Sequence, residues 1–328
     1  MKLQVLKALK QSKHQYISGE ELSNQLGVSR TAVWKAISAL REEGYVVHSS
    51  PRKGYCLHIS PDVISAEEIQ QGLQTQCFGK HIDYAKKVSS TNQIAKQKAT
   101  LGCPEGTVVI AEQQTSGRGR LGRKWVSPPE TGIWMSILLR PRISPAKAPF
   151  ITIMAALATV RGIEEVTGIR ASIKWPNDIL IEKRKVCGIL TEIHAEMEQI
   201  HYIVAGIGIN VNQHAEDFPS EISDTAGSIA MVTGKSVQRR EIAIKVLEHF
   251  EKLYVAKDAL STQKLIEEYK RYSLTLGQQI KVIWQDEILE GKAIGLTDTG
   301  ELLVQKEDGQ KITVFSGEVS VRGIGGYV

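Results

Sequence analysis

The chain has 328 residues, 42% of them hydrophobic and 23% charged, with a formal net charge of +5. That composition describes a soluble globular protein with room for two or three domains and a sizeable core. The longest apolar run, residues 150–160, is too short for a bilayer span, and the lysine-studded first seven residues have no signal-peptide layout.

Cys56, Cys77, Cys103 and Cys187 are widely spaced with no C-x-x-C, so neither a zinc site nor a redox pair is expected. Idle thiols in a reducing cytoplasm are the expectation. The charge is unevenly placed. Residues 1–60 carry nine Lys and Arg against four Glu, and the 32 bases and 32 acids that follow cancel. The excess points to a polyanion partner for the N-terminal segment.

In chain order, Leu3, Leu6 and Leu9 predict a first short helix. Ser18-Gly19-Glu20-Glu21 is a capping box with Ser18 as N-cap, opening a second helix that ends near Gly27. Ser29 caps a third, whose Val33, Ala36, Ile37 and Leu40 recur at i, i+3, i+4, i+7, with Gly44 as its stop. Two helices joined by a short glycine-containing turn make a helix-turn-helix. Ser29, Arg30, Thr31, Trp34 and Lys35 then fall where a recognition helix meets base edges. Strands at 45–49 and 54–59 form a wing with Arg52 and Lys53 at its tip, suited to phosphate contact. Ser60-Pro61-Asp62 reads as a linker.

Ser65 opens a helix to about Gln74, residues 82–85 make a short strand, and Ser89-Ser90-Thr91-Asn92 begins a helix through Ala99. The Ser90 and Thr91 hydroxyls at its start suit either plain caps or ligand contacts. Between a buried strand at 107–113 and another at 132–139 lies Gly117-Arg118-Gly119-Arg120-Leu121-Gly122-Arg123-Lys124-Trp125. Glycine lets backbone approach a ligand closely, and arginine offers planar charged forks that suit carboxylate and phosphate oxygens. A loop anchored by two core strands is placed for function. Gly117, Gly119 and Gly122 also satisfy G-x-G-x-x-G, but Pro128-Pro129 and a strand follow where a dinucleotide fold needs a helix. Walker A is absent as well.

Residues 149–167 read as a long apolar helix. Residues 172–181 read as a strand interrupted by Pro176, which marks an edge or bulge and directs Lys174, Asn177 and Asp178 toward a site. Residues 186–192 pair back across Lys183-Arg184-Lys185. Residues 200–212 form a central strand in which Gly206 and Gly208 permit close approach. Helices follow at about 239–257 and 260–272. From Leu276 on, five short strands in about fifty residues, with Asp298-Thr299-Gly300 and Asp308-Gly309 as turns, suggest a small SH3-like barrel.

The GRGRxGR-x-W loop, the KWPND strand and the R-K-x-x-G-I-L-x-E strand, in that order behind a winged helix, resemble the bifunctional biotin protein ligase and biotin operon repressor family. The resemblance covers essentially the whole chain. It implies an α+β multidomain protein: winged helix (1–62), a mixed-sheet catalytic domain of the class II synthetase-like kind (63–274), and an SH3-like C-terminal domain (275–328). The implied reaction joins biotin and ATP into biotinyl-5′-adenylate, then transfers biotin to a lysine of a carboxyl-carrier domain. Carried over by motif position, Ser90, Thr91, Asn92 and Gln114 would hold biotin, with the loop at Arg118 and Gly119 and with Gly188. Arg120 and Arg123 would cover carboxylate and phosphates, and Lys185 would contact the biotin carboxyl and the α-phosphate. Trp125, Asn177 and Asn210 would face the adenylate. The catalytic set would be Arg120, Arg123 and Lys185, acting with Mg²⁺ on the triphosphate. Implied partners are the carrier domain, operator DNA and a second copy of the chain, brought together by the adenylate.

Charge suits the chemistry, because two anions must meet and negative charge builds in the transition state. Asp178 is open between a structural acceptor and a general base. Three competing readings stay open at this point: a winged-helix regulator with an effector-only second domain, a lipoate or octanoyl attachment enzyme, and a ligase whose first domain no longer binds DNA.

Overall fold

Burial of four near-adjacent apolar residues sets the first helix. The computed structural model describes every residue except 13–14, 43, 60–61, 197–198, 256–261, 285–286, 318 and 324–328. In α1 (Lys2–Gln11) the buried stripe is Val5, Leu6, Ala8 and Leu9, while Leu3 is only half-buried. A 3-6-9 spacing drifts off one face of a 3.6-residue helix, so the leucine stripe expected from sequence is corrected to 5-6-8-9.

The chain divides into two compact units, Met1–Val63 and Ile64–Val328. In the first, Ser18 accepts the Glu21 N–H at 3.0 Å to start α2 (Gly19–Leu26), which ends on left-handed Gly27. Ser29 accepts the Ala32 N–H at 3.2 Å at the start of α3 (Arg30–Glu42). The expected Val33, Ala36, Ile37 and Leu40 are all buried there. β1 (Val46–Ser50) and β2 (Gly54–Ile59) form the wing, and Ile17 adds one antiparallel rung on Tyr55. Gly54 is obligatory: at φ +97° its Cβ would lie 2.1 Å from the Ile17 carbonyl oxygen. Of the linker read from sequence, Ser60 and Pro61 lie outside the described residues.

The second unit is built on a seven-stranded sheet. Its strands are β3 (Ile82–Val88), β4 (Val108–Gln114), β5 (Gly132–Leu139), β6 (Ser172–Lys174), β7 (Asp178–Ile181), β8 (Arg184–Glu196) and β9 (Gln199–Asn210). Their order is β3-β4-β5-β9-β8-β7-β6, with β3 and β4 parallel and the other pairs antiparallel. One face packs on α6 (Pro149–Thr167) and α8 (Arg239–Val255), beside α4 (Ala66–Gly72) and α9 (Thr262–Tyr272). The other face packs on α5 (Thr91–Thr100) through Ala95, Ala99, Val109, Leu138 and Val204.

Strand period two separates these faces. Along β9, Ala205, Ile207 and Ile209 enter the larger core, so Val204, Gly206, Gly208 and Asn210 turn to the face of α5. Removing side chains at 206 and 208 leaves room on that face. Two buried charges tie the layers together. Arg239 pairs with Glu112 at 2.7 Å, and Glu251 accepts the backbone N–H groups of Gln76, Cys77 and Phe78.

Several sequence expectations are corrected. The stretch 172–181 is two antiparallel strands, not one: Lys174 pairs with Asp178 and the chain reverses at the cis Trp175–Pro176 bond. Proline has no N–H for a ladder, so it sits in the turn. β6 is still a sheet edge, as proline suggested. The turn into β8 is Glu182-Lys183, both at positive φ, so Arg184 and Lys185 belong to the strand. The helix from Ser65 stops at Gly72, short of Gln74. By length and composition alone the helical stretch 145–167 could cross a membrane, although its continuous apolar run is short, and 67% of an 18-residue window within it is buried inside the protein. The bounds expected at Lys257 and Leu260 lie outside the described residues.

The last five strands are β10 (Gln279–Trp284), β11 (Glu287–Leu296), β12 (Leu302–Gln305), β13 (Lys311–Val314) and β14 (Val319–Gly323). They form an antiparallel sheet of order β13-β12-β11-β10-β14, in which the last strand returns to pair with the first, as in an SH3-like barrel. Its apolar face is continuous with the main core, and the Trp175 indole donates to the Gly300 carbonyl at 3.0 Å.

Candidate active site

The bare patch at Gly206 and Gly208 is the floor of a cavity of about 670 Å³. Every residue assigned above to biotin or the adenylate lines it, from Ser90 on α5 to Asn210 at the end of β9. The fold therefore gathers residues spread over 120 positions onto one sheet face.

Trp125 lies across that floor. A Cβ on Gly208 would come 2.5 Å from its Nε1, and one on Gly188 3.0 Å from its six-membered ring. These glycines are needed for an indole to lie on the strands. Trp134 meets Trp125 edge-on at 6.5 Å, and the Lys185 ammonium sits 5.3 Å over the Trp125 ring. Lys185 also pairs with Asp178 at 2.6 Å. This places Lys185 between a π face and a carboxylate, beside the cavity rather than in solvent.

The arginine loop closes on itself. The Gly119 N–H donates to Arg123 O at 2.7 Å, the Trp125 N–H to Gly117 O at 2.9 Å, and a 3₁₀ turn spans Arg120–Gly122. Leu121 is left-handed at φ 56°, which a non-glycine residue adopts only at a cost. Gly117 cannot be replaced, since its Cβ would lie 2.5 Å from Trp125 O. Arg120 points inward. Its guanidinium donates to Asn177 Oδ1 at 3.2 Å, to Gly317 O and Val319 O at 3.0 Å each, and to Ser316 O. The loop is thus tied to the edge of the C-terminal sheet. Arg123 reaches Ser320 Oγ at 3.4 Å, and Arg118 stays exposed.

The two asparagines are committed by their amides. Asn177 Nδ2 donates to Ile189 O at 2.8 Å and Asn210 Nδ2 to Gly227 O at 3.0 Å. On α5, Ser90 occupies the N-cap position but makes no side-chain capping bond, so its hydroxyl is left for the cavity. Asn92 Nδ2 donates to Glu192 at 2.7 Å and to Leu190 O at 3.2 Å.

Sequence reasoning missed Trp134, Ser320 and Arg322, which line the cavity. Each comes from a strand whose register, not its local pattern, brings it near. Lys174 was singled out without a role. It is buried beside Asp178, and burial lowers its pKa to about 8; Lys185, Arg322 and Arg123 push the same way and Asp178 opposes. The folded value lies below the ordinary 10.5, so the folded state disfavours the ammonium, and stability should rise as pH goes from about 8 toward 10.5. Lys174→Met is expected to abolish that rise, so the stability difference between variant and wild type shifts in the wild type's favour between pH 7 and 10. Denaturant unfolding at pH 7 and 10 measures it; a gap independent of pH would overturn the assignment.

In the first unit, Arg30, Thr31, Trp34 and Lys35 are all exposed on α3, and Arg52 and Lys53 at the wing tip. Ser29 is spent as a cap, and Arg30 pairs with Glu20 at 2.5 Å in a setting too exposed to bind it firmly. Among the described residues no group of three or more His, Cys, Asp or Glu is placed to hold a metal.

Residues 84–210 match the biotin/lipoate A/B protein ligase family, residues 2–56 an HTH domain, and residues 275–322 the biotin protein ligase C terminal domain. The chain is 41% identical over 319 residues to the bifunctional ligase/repressor BirA of Bacillus subtilis (strain 168), covering 97% of each. It is 27% identical over 309 residues to BirA of Escherichia coli (strain K12), covering 94% of each. Among solved structures, the Aquifex aeolicus biotin protein ligase in complex with biotin and ATP is 33% identical, with a TM-score of 0.66 over 75% of this chain and 100% of that one.

Proposed function

The chain belongs to the bifunctional biotin ligase/repressor family, and on that premise we propose a division of labour among its segments. Residues 63–274 make biotinyl-5′-adenylate from biotin and ATP and transfer biotin to a carrier lysine, residues 275–328 close the site, and residues 1–62 bind operator DNA. The observation that carries it is one cavity in which a self-bonded arginine loop and Lys185 surround a glycine floor. Such a site supplies positive charge, and no His or Cys is among its lining residues to make a nucleophilic pair.

Ser90, Thr91 and Gln114 hold the ureido ring at the α5 end. Lys185, released from Asp178, neutralises the biotin carboxylate and the α-phosphate as they meet, and Arg120 and Arg123 cover the charge that develops. Mg²⁺ would be held by the triphosphate oxygens and water rather than by this chain. The cavity's carboxylates, Asp178 and Glu221, are too few to build a protein cage, and magnesium prefers phosphates and water. Trp125 packs on the adenylate, and the amides of Asn177 and Asn210 shape its wall. Asp178 serves first as the lysine's structural partner. The setting is cytoplasmic, and the partners are a biotin carboxyl carrier domain and a two-fold operator.

A single winged helix makes few phosphate contacts, whereas a dimer doubles them on a palindrome. The adenylate therefore acts as co-repressor by favouring a homodimer, which it does only through a preference for the dimer-competent state. Incubation with biotin and ATP, followed by native mass spectrometry, should find retained biotinyl-adenylate and released pyrophosphate. The same sample should sediment as a dimer, where biotin alone or ATP alone gives weaker association by about tenfold or more. No adenylate would sink the ligase reading; an unchanged association constant would leave a constitutive binder. Lipoate competing as well as biotin would favour the lipoyl alternative.

A further inference from the structure

Behind the cavity wall runs a polar chain, part-exposed at Lys96 and Glu192 and buried at Asn92, Ser136 and Thr91, whose proton count fixes its direction. Lys96 pairs with Glu192, and Glu192 and Leu190 O accept both hydrogens of the Asn92 amide. Both partners are acceptors, so the amide cannot be flipped and Asn92 Oδ1 must face Ser136, at 2.6 Å. Oδ1 can only accept. Ser136 is fully buried and has one hydroxyl hydrogen, which goes to Asn92.

The Ser136 and Thr91 hydroxyl oxygens are also 2.7 Å apart, the usual spacing of an O–H···O bond. With the serine hydrogen spent, the hydrogen between them comes from Thr91. Gln114 Oε1, 3.1 Å from Thr91 Oγ1, is already served by the Thr91 backbone N–H at 2.9 Å. Thr91 therefore shows the cavity only lone pairs. Gln114 Nε2 gives one hydrogen to Ser127 Oγ at 2.9 Å and keeps a second. Acceptor beside donor is the complement of a cyclic urea edge, N–H beside C=O.

We propose that Ser136, which does not line the cavity, is a positioning residue that fixes Thr91 as a hydrogen-bond acceptor and so makes the pocket select a ligand N–H. The proposal deepens the biotin reading of this site and rests on it. Neither reacting atom is touched by Ser136; it acts through Thr91. A ring oxygen in place of the ureido N–H would set lone pair against lone pair, and a site built for an N–H rejects such an analogue strongly.

The test is calorimetric titration of wild type, Ser136→Ala and Ser136→Cys with biotin and with the two cyclic carbamates that replace one or other ureido N–H by oxygen. Wild type should prefer biotin over one carbamate by about a hundredfold or more. In Ser136→Ala the Thr91 hydroxyl is free to turn and donate, and that preference should shrink about tenfold. Ser136→Cys keeps the volume with a weaker donor and should fall between; it carries the ratio test if the alanine variant melts early. A lower affinity with an unchanged ratio is what a merely structural serine would give, and it would overturn the proposal while sparing the biotin reading. Wild type that binds no biotin would overturn both.

Discussion

Replacing Lys185 with alanine is expected to slow adenylate formation about 10²–10³-fold, the usual consequence of deleting one preorganised charge from a reacting centre. The ammonium is held 5.3 Å over Trp125 and 2.6 Å from Asp178, so it waits at the cavity and has to exchange Asp178 for the substrate oxygens. Its fold contribution is small by comparison. The pair with Asp178 is part-exposed, and such pairs add about 0–1 kcal/mol. Pyrophosphate release in the presence of biotin and ATP, set beside a melting curve, separates the two roles. Normal adenylation with unchanged melting would rule out the catalytic role, and a fall in melting temperature alone would reduce Lys185 to a strand-edge lysine.

Arg120→Gly is expected to release the adenylate at least about tenfold faster, since each charge-assisted bond it makes is worth roughly 1.5–3 kcal/mol. The geometry adds a second loss. The guanidinium bonds to Gly317 O, Val319 O and Ser316 O hold the loop against the C-terminal sheet, and glycine offers none of them. The loop keeps its own bonds from Gly119 to Arg123 and from Trp125 to Gly117, so it should persist as a turn while losing its anchor. Freed adenylate acylates bystander lysines, which labelling of an added unrelated protein reports. Retention of the adenylate for as long as in wild type would show that the role of Arg120 is misassigned.

Local rules were enough for much of the architecture. Ser18 and Ser29 cap helices because their hydroxyls reach the N–H three residues on, a fact internal to four residues. The Gly-Ile-Gly-Ile-Asn run of β9 announces a two-sided strand with one face bare, and the cavity floor is that face. Five short strands after Leu276 likewise declare themselves by turns and alternation. The basic loop was legible as a site because charge and glycine are concentrated between two strands.

Tertiary structure alone decided what those residues touch. Trp125 could be placed near a ligand from its motif, but not laid on Gly188 and Gly208, which reach it only through the pairing of β8 with β9. Arg120 finds its carbonyl partners almost two hundred positions away, in a sheet whose docking no local pattern encodes. Ser136 looks like any small residue in a buried strand until register sets it 2.7 Å from Thr91 and 2.6 Å from Asn92. Periodicity records which face a side chain takes, because that depends on neighbours along the chain. Which partner waits on that face depends on strand order and packing, and those are properties of the whole fold.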